Sequence, residues 1–68
     1  MSTQEVYAAI RKSNEAKCYT IVYFINNNKM QEAVSRIQRC FDCNEETAAE
    51  AASMIKMDLD KAKSKNKS

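Results

Sequence analysis

The segment Arg39-Cys40-Phe41-Asp42-Cys43 holds the residues of this sequence whose types and spacing could do chemistry. Two cysteines three positions apart can form a redox-active pair, or they can supply two thiolate ligands to zinc. They can also be small apolar residues packed at the end of a helix, since free cysteine is among the most frequently buried residue types. The other residues of the chain indicate which of these three interpretations applies.

The rest of the chain favours the structural interpretation. A redox pair usually has its reactive cysteine at a helix N-terminus, where the dipole lowers the thiol pKa, but Cys40 falls at the predicted C-terminal end of a helix. A zinc site needs four ligands, and the sequence has three cysteines and no histidine. Cys18, Cys40 and Cys43 with Asp42 would make an irregular ligand set. We therefore expect structural cysteines with no metal and no cofactor, and keep the metal and redox roles as alternatives.

Other catalytic arrangements lack the residues they need. Without histidine, the usual serine- or cysteine-based triads cannot be built from this chain. Without glycine, the chain has neither a phosphate-binding loop nor a dinucleotide-binding fingerprint. We therefore predict no catalytic residues and a protein that is not an enzyme.

The elements that position these residues are predicted to be helices. The 68 residues include no glycine and no proline, the usual residues of tight turns, whereas good helix formers are plentiful. Ser2 and Glu5 have the spacing of a capping box, which predicts a first helix over about residues 3–13. Asn28 is predicted to cap a third helix, and Asn44 to cap the last one.

Apolar residues recur at helical spacing along the two predicted helices of the second half. The two stripes are Met30, Ala33, Val34, Ile37, Cys40, Phe41 and Ala48, Ala51, Ala52, Ile55, Leu59, Ala62. About three residues join these helices, so they should be antiparallel neighbours. The predicted fold is all-α, a small bundle of three to four short helices that ends in an antiparallel helical hairpin.

The segment Cys18–Ile25, CYTIVYFI, is compatible with two structures. Its β-branched and aromatic residues favour a strand on propensity. However, an isolated strand leaves its backbone groups unpaired, and no other segment alternates with a period of two. As a helix, the segment places Cys18, Ile21, Val22 and Ile25 on one face. We favour the helix and keep a strand-helix-helix dimer as the alternative.

With a strand at residues 18–25, the element order of residues 18–62 resembles that of ribbon-helix-helix proteins. That resemblance implies a dimeric DNA-binding regulator in which paired strands enter the major groove. The alternate faces of this segment are apolar or uncharged, whereas a DNA-reading strand should present polar or basic side chains. DNA binding is therefore the alternative function, and nucleic acid is not the expected partner.

The charge distribution predicts one domain followed by a tail. The net charge is +2, but Lys61, Lys63, Lys65 and Lys67 lie in a terminal segment with no acidic residue. The other residues include seven basic and nine acidic side chains, a net charge of −2. We predict a single helical domain at residues 1–60 and a basic flexible tail at 61–68.

The sequence also indicates a compartment. No apolar run approaches the roughly 18 residues of a membrane span, and the first residues lack the pattern of a secretory signal. An odd number of cysteines fits a reducing compartment. We expect a cytoplasmic protein that does not use a membrane.

The remaining candidate function is binding to another protein. Tyrosine and methionine are common at adaptable protein surfaces, and the predicted core is too small to hide all of them. The candidate partner-binding residues are Tyr7, Tyr19, Tyr23, Met54 and Met57. The alternative is that these residues complete the core or the seam of a homodimer.

Two resemblances support the same function. The stretch FINNNKMQEAVSRI looks like a helix boundary of ubiquitin-associated-type three-helix domains. The longer run to Ala52 is similar in spacing to the helical hairpin of ribosomal stalk protein C-terminal domains. Both resemblances imply protein binding rather than catalysis. We therefore predict a small non-enzymatic helical module for protein interaction or regulation.

Overall fold

Four α-helices make up the part of the chain that the computed structural model describes, which is the backbone of residues 1–66 and the side chains of residues 1–63. The helices are α1 (Thr3–Lys12), α2 (Ala16–Asn26), α3 (Met30–Cys40) and α4 (Glu45–Asn66). The all-α prediction is confirmed. The last helix has 22 residues and is therefore longer than the short helices that the sequence predicted.

Residues 18–25 are helical, so the strand-helix-helix alternative is wrong. Within α2, the side chains of Cys18, Ile21 and Ile25 are buried, at the spacing of three and four residues that places them on one face. As a helix, the segment satisfies its backbone groups internally, and its buried face packs against α3 and α4. Packing of this face overrides the strand propensity of its β-branched and aromatic residues.

The predicted caps of the first and last helices are confirmed. The amide of Glu5 donates to the Ser2 hydroxyl, and the Ser2 amide donates to the Glu5 carboxylate at 3.0 Å. Hydrogen bonds from Ser2, chiefly from its amide, hold the pKa of Glu5 below its usual value. At the start of α4, the Asn44 side-chain oxygen accepts from the Thr47 amide at 2.8 Å.

The cap predicted at Asn28 is wrong. The residue that precedes α3 is Lys29, and its side chain makes no capping hydrogen bond. Asn28 instead has a φ of 62°, in the left-handed region, and the Lys29 amide donates to the Phe24 carbonyl at 2.8 Å. Asparagine tolerates this conformation better than most residues, so it makes the turn that glycine would make in another chain.

The core lies where the four helices meet. Its buried residues are Val6, Ile10, Cys18, Ile21, Ile25, Ala33, Ile37, Ala48, Ala51, Ala52 and Ile55. Three of them are alanines in the first half of α4, and side chains this small let the neighbouring helices approach closely. Ala62, predicted at the end of the α4 stripe, is exposed.

The arrangement of the helices follows from contacts between them. The Thr3 hydroxyl donates to the Glu50 carboxylate at 2.9 Å and Tyr7 contacts Asp58, so α1 runs parallel to α4. The Lys56 ammonium donates to the Asn28 side chain at 3.2 Å, far along α4 from its junction with α3. The predicted antiparallel hairpin of α3 and α4 is therefore confirmed.

The basic segment at residues 61–68 is in part helical. Residues 61–66 continue α4, and residues 67 and 68 lie outside the described residues, as does the side chain of Lys65. The domain boundary at residue 60 and the flexibility of the tail stay predictions.

Candidate interaction surface

Two exposed tyrosines lie one turn apart on the outer side of α2. Tyr19 and Tyr23 are 59% and 60% exposed, on the side of the helix away from its buried residues. The Tyr19 hydroxyl makes one long hydrogen bond, to the Asn14 side chain at 3.4 Å. Both rings therefore remain open to contact from outside the molecule.

The outer side of α2 carries no charge beyond the first turn. In its sequence, AKCYTIVYFIN, Lys17 is the one charged residue, and apolar or aromatic side chains occur all around the helix. A surface helix normally presents charged or polar residues to water, and a helix that is apolar all round is normally covered on every side. Within the described residues, α2 is covered on one side only.

Phe24 adds a third aromatic ring beside the two tyrosines, on the side that faces α3. The rings of Tyr23 and Phe24 have centroids 5.9 Å apart, and the guanidinium carbon of Arg36 lies 5.8 Å from the Phe24 centroid. Phe24, Glu32, Arg36 and Arg39 are among the residues that line a shallow depression on this side of the molecule. We call Tyr19, Tyr23 and Phe24 the aromatic surface.

Positive charge flanks the aromatic surface. Lys17 lies at the start of α2, 5.8 Å from the centroid of Phe41, and pairs with Glu15 at 3.4 Å. Arg36 and Arg39, on α3, make no ion pair with a carboxylate of residues 1–63. We call Lys17, Arg36 and Arg39 the basic rim.

Tyr7 does not belong to this surface. It is half-buried between α1 and α4, and its hydroxyl donates to the Asp58 carboxylate. This hydrogen bond raises the pKa of Tyr7 above its usual value, because the neutral phenol is the form that donates. Arg11 lies 3.8 Å from the same carboxylate. The structure thus gives Tyr7 a contact between helices.

The two candidate methionines lie three residues apart on α4 and differ in exposure. Met54 is half-buried, whereas Met57 is 60% exposed. Met57 is two residues from the buried Ile55, which places it on the opposite side of α4 from the core. Of the five candidates, the structure brings only Tyr19 and Tyr23 together on one exposed face.

The sequence prediction missed Phe24, Arg36 and Arg39. Phe24 meets Arg36 only because α2 and α3 pack side by side, and residues twelve apart give no periodic signal. The positive charge of the segment that contains these residues could have been found from the sequence. Residues 16–41 carry a net charge of +3, whereas residues 42–60 carry −5. That asymmetry disappears in the net charge of the whole chain.

The two cysteines of the segment RCFDC lie at the corner between α3 and α4. Cys40 is the last residue of α3, and Cys43 lies in the connection to α4; both are half-buried against the core. Cys18 is buried, and all three are free thiols. Across the described residues, no group of three or more cysteine, aspartate or glutamate side chains has the geometry to hold a metal ion.

No protein-family model, curated protein or solved structure matches this chain. In the part of the chain that the structure describes, no helix has both the length and the apolar character needed to cross a membrane.

Proposed function

We propose that this protein is a small non-enzymatic helical module that binds another protein through the aromatic surface of α2. The observation that carries the proposal is the uncharged outer side of this helix, where Tyr19 and Tyr23 are both well over half exposed. An apolar helix face of this kind is normally covered, and no other helix among residues 1–66 covers it.

The chemistry of the surface suits protein rather than nucleic acid. Tyrosine is enriched at protein interfaces, where its ring contributes area with few rotatable bonds and its hydroxyl still finds a partner. Nucleic-acid binding depends on many phosphate contacts, whereas residues 1–60 carry a net charge of −2. The DNA-binding alternative also required a strand at residues 18–25, and these residues form α2.

Several features support a binding role without catalysis. Among residues 1–63, the two groups with shifted pKa values are Glu5 and Tyr7, and they are accounted for by a helix cap and a contact between helices. We propose a regulatory or adaptor role in the cytoplasm, which the three free thiols support. A second copy of the chain is the other protein that could occupy the surface, and it is kept as an outcome of the test.

The test is affinity capture with the full chain as bait and a lysate of the source cell. Three baits are compared: the wild type, the double variant Tyr19→Ser/Tyr23→Ser and the matched control Met57→Ser. Met57 is as exposed as Tyr23 but lies on the outer side of α4. We expect the same protein to be captured by the wild type and the control, and to be lost with the double variant.

Two results would contradict the proposal. The first is capture that survives the loss of both tyrosines. The second is capture that depends on Met57 instead. Sedimentation of the purified chain at several concentrations tests the second-copy alternative, because a homodimer on this surface would dissociate in the tyrosine double variant.

A further inference from the structure

The tyrosines alone do not supply enough area for a stable interface. A standard protein interface buries about 800 Å² on each partner. Two tyrosines at 59% and 60% exposure present roughly 250 Å², given that a buried aromatic residue covers about 150–250 Å². A partner must therefore also cover the residues that border the two tyrosine rings, which include Phe24 and the basic rim.

The basic rim favours an acidic partner. Arg36 and Arg39 make no ion pair with a carboxylate of residues 1–63, and the segment 16–41 has a net charge of +3. Carboxylates that face these arginines would form charge-assisted hydrogen bonds and would also speed association. A partner with a basic rim would be repelled at the same positions.

The same charge disfavours a symmetric homodimer on this face. In a twofold dimer each surface meets its own copy, so the basic rim of one protomer would lie near the basic rim of its partner. Like charges placed together across an interface are destabilising. Six of the nine acidic residues of this chain lie instead in residues 42–60.

The shape of the surface favours a helix as the occupant. The aromatic surface follows one helix of 11 residues, about 16 Å long at 1.5 Å per residue, with a shallow depression between Phe24 and the arginines of α3. A helix can lay an apolar face along such a ridge and depression. Pairing with an extended strand requires an open sheet edge, and residues 1–66 contain no strand.

We infer that the partner presents an acidic amphipathic helix, whose apolar face covers the aromatic surface and whose carboxylates meet the basic rim. This inference rests on the proposed function, since it names the chemistry of the partner for the same surface. The three features that carry it are the tyrosine pair, the two arginines that make no ion pair within residues 1–63, and the helical form of the ridge.

The test uses the full chain, labelled with ¹⁵N, and synthetic peptides of about four helical turns. The first peptide has a leucine stripe flanked by glutamates. The second has the same stripe flanked by lysines, and the third is the acidic peptide with two central prolines that prevent a helix. Amide shift changes give the site and the affinity for each peptide.

We expect the acidic helical peptide to bind at least about tenfold more tightly than the lysine or proline peptide, with shift changes centred on Tyr19, Tyr23 and Arg36. Its affinity should fall as the salt concentration rises. The variant Arg36→Glu should weaken it by about fivefold, whereas Lys61→Glu, the same charge change on α4, should not.

Other outcomes separate this inference from the proposed function. Equal binding of the acidic and lysine peptides at the aromatic surface would overturn the acidic partner and leave protein binding there intact. Absence of binding by every peptide would also overturn it, and the capture experiment would then decide the proposed function alone. Salt-sensitive binding of a single-stranded RNA at the same arginines would overturn both.

Discussion

Tyr7 and Asp58 join the first helix to the last, 51 positions apart in the chain, through a hydrogen bond from the phenol to the carboxylate. Arg11 approaches the same carboxylate at 3.8 Å, so α1 contributes both a neutral and a charged group to one acidic residue of α4. This contact gives Tyr7 a structural role, although the sequence offered it as a candidate for partner binding.

The first prediction concerns stability in alkali. The pKa of Tyr7 is raised from 10.0 in the folded chain, mainly by the hydrogen bond to Asp58. The unfolded chain therefore releases this proton at a lower pH than the folded chain, and the stabilisation is complete below about pH 10 and decreases above it. Denaturation measured at several pH values should show this decrease in the wild type and a smaller one in Tyr7→Phe.

The matched control for that experiment is Tyr23→Phe. Tyr23 is exposed on α2, and within the described residues its hydroxyl makes no hydrogen bond to another helix. It should keep the wild-type decrease. If Tyr7→Phe and the wild type lose stability equally above pH 10, the Tyr7–Asp58 contact does not form in solution.

The second prediction concerns the core. Ile37 and Ile55 are fully buried on α3 and α4. Replacing either with alanine should lower the free energy of unfolding by about 2–4 kcal/mol, as large-to-small changes in a core do. Met57→Ala, on the exposed side of α4, should change it by less than about 0.5 kcal/mol. Chemical denaturation checks all three, and a small effect at Ile55 would contradict the assigned helix faces.

The third prediction concerns the turn between α2 and α3. Because Asn28 has a φ of 62°, Asn28→Ala should lower the free energy of unfolding by about 1–2 kcal/mol. Asn28→Gly should cost little, since glycine adopts this conformation freely. Asn26→Ala, within α2 and exposed, is the control and should be near neutral. Equal effects of alanine and glycine at position 28 would contradict the left-handed turn.

The helices could be predicted because their signals are local. Ser2 with Glu5, and Asn44 before two glutamates, mark helix starts through contacts within four residues. The stripes around Ile37 and Ile55 repeat at the helical period, so their buried faces were readable as well. Local patterns of this kind need no knowledge of how the helices pack.

The prediction for the turn was wrong at Asn28, and most of the surface could not be predicted because it depends on tertiary packing. Asn28 was predicted to cap α3, whereas in the structure it has a left-handed φ and the Lys29 amide donates to the Phe24 carbonyl. The pairing of Phe24 with Arg36 exists only when α2 lies beside α3. In the same way, Tyr7 could not be separated from Tyr19 and Tyr23 before its contact with Asp58 was known.

The fourth prediction concerns the cysteines. Cys40 is half-buried at the end of α3, so Cys40→Ala should destabilise the fold by about 0.5–1 kcal/mol. A chelator or a reductant should leave the melting temperature unchanged, because a structural metal site or disulfide would couple its loss to unfolding. Elemental analysis of the purified protein checks this independently. Stoichiometric zinc would show that these thiols are ligands.

The last prediction is that stability and binding depend on different residues of α2. Ile21 and Tyr23 are two residues apart on α2, with Ile21 fully buried and Tyr23 exposed. Ile21→Ala should lower the free energy of unfolding by about 2–4 kcal/mol. Tyr19→Ser/Tyr23→Ser should change it by less than about 0.5 kcal/mol, because both residues are exposed and serine and tyrosine have similar helix propensities.

Chemical denaturation at two protein concentrations decides between the roles left to the tyrosines. If the double variant is as stable as the wild type but no longer captures the partner, the exposed rings serve binding. A large loss of stability at both concentrations would mean that the rings support the monomer, against the exposure observed here. A loss seen only at the higher concentration would mean that Tyr19 and Tyr23 form a homodimer seam, because only association makes stability depend on concentration.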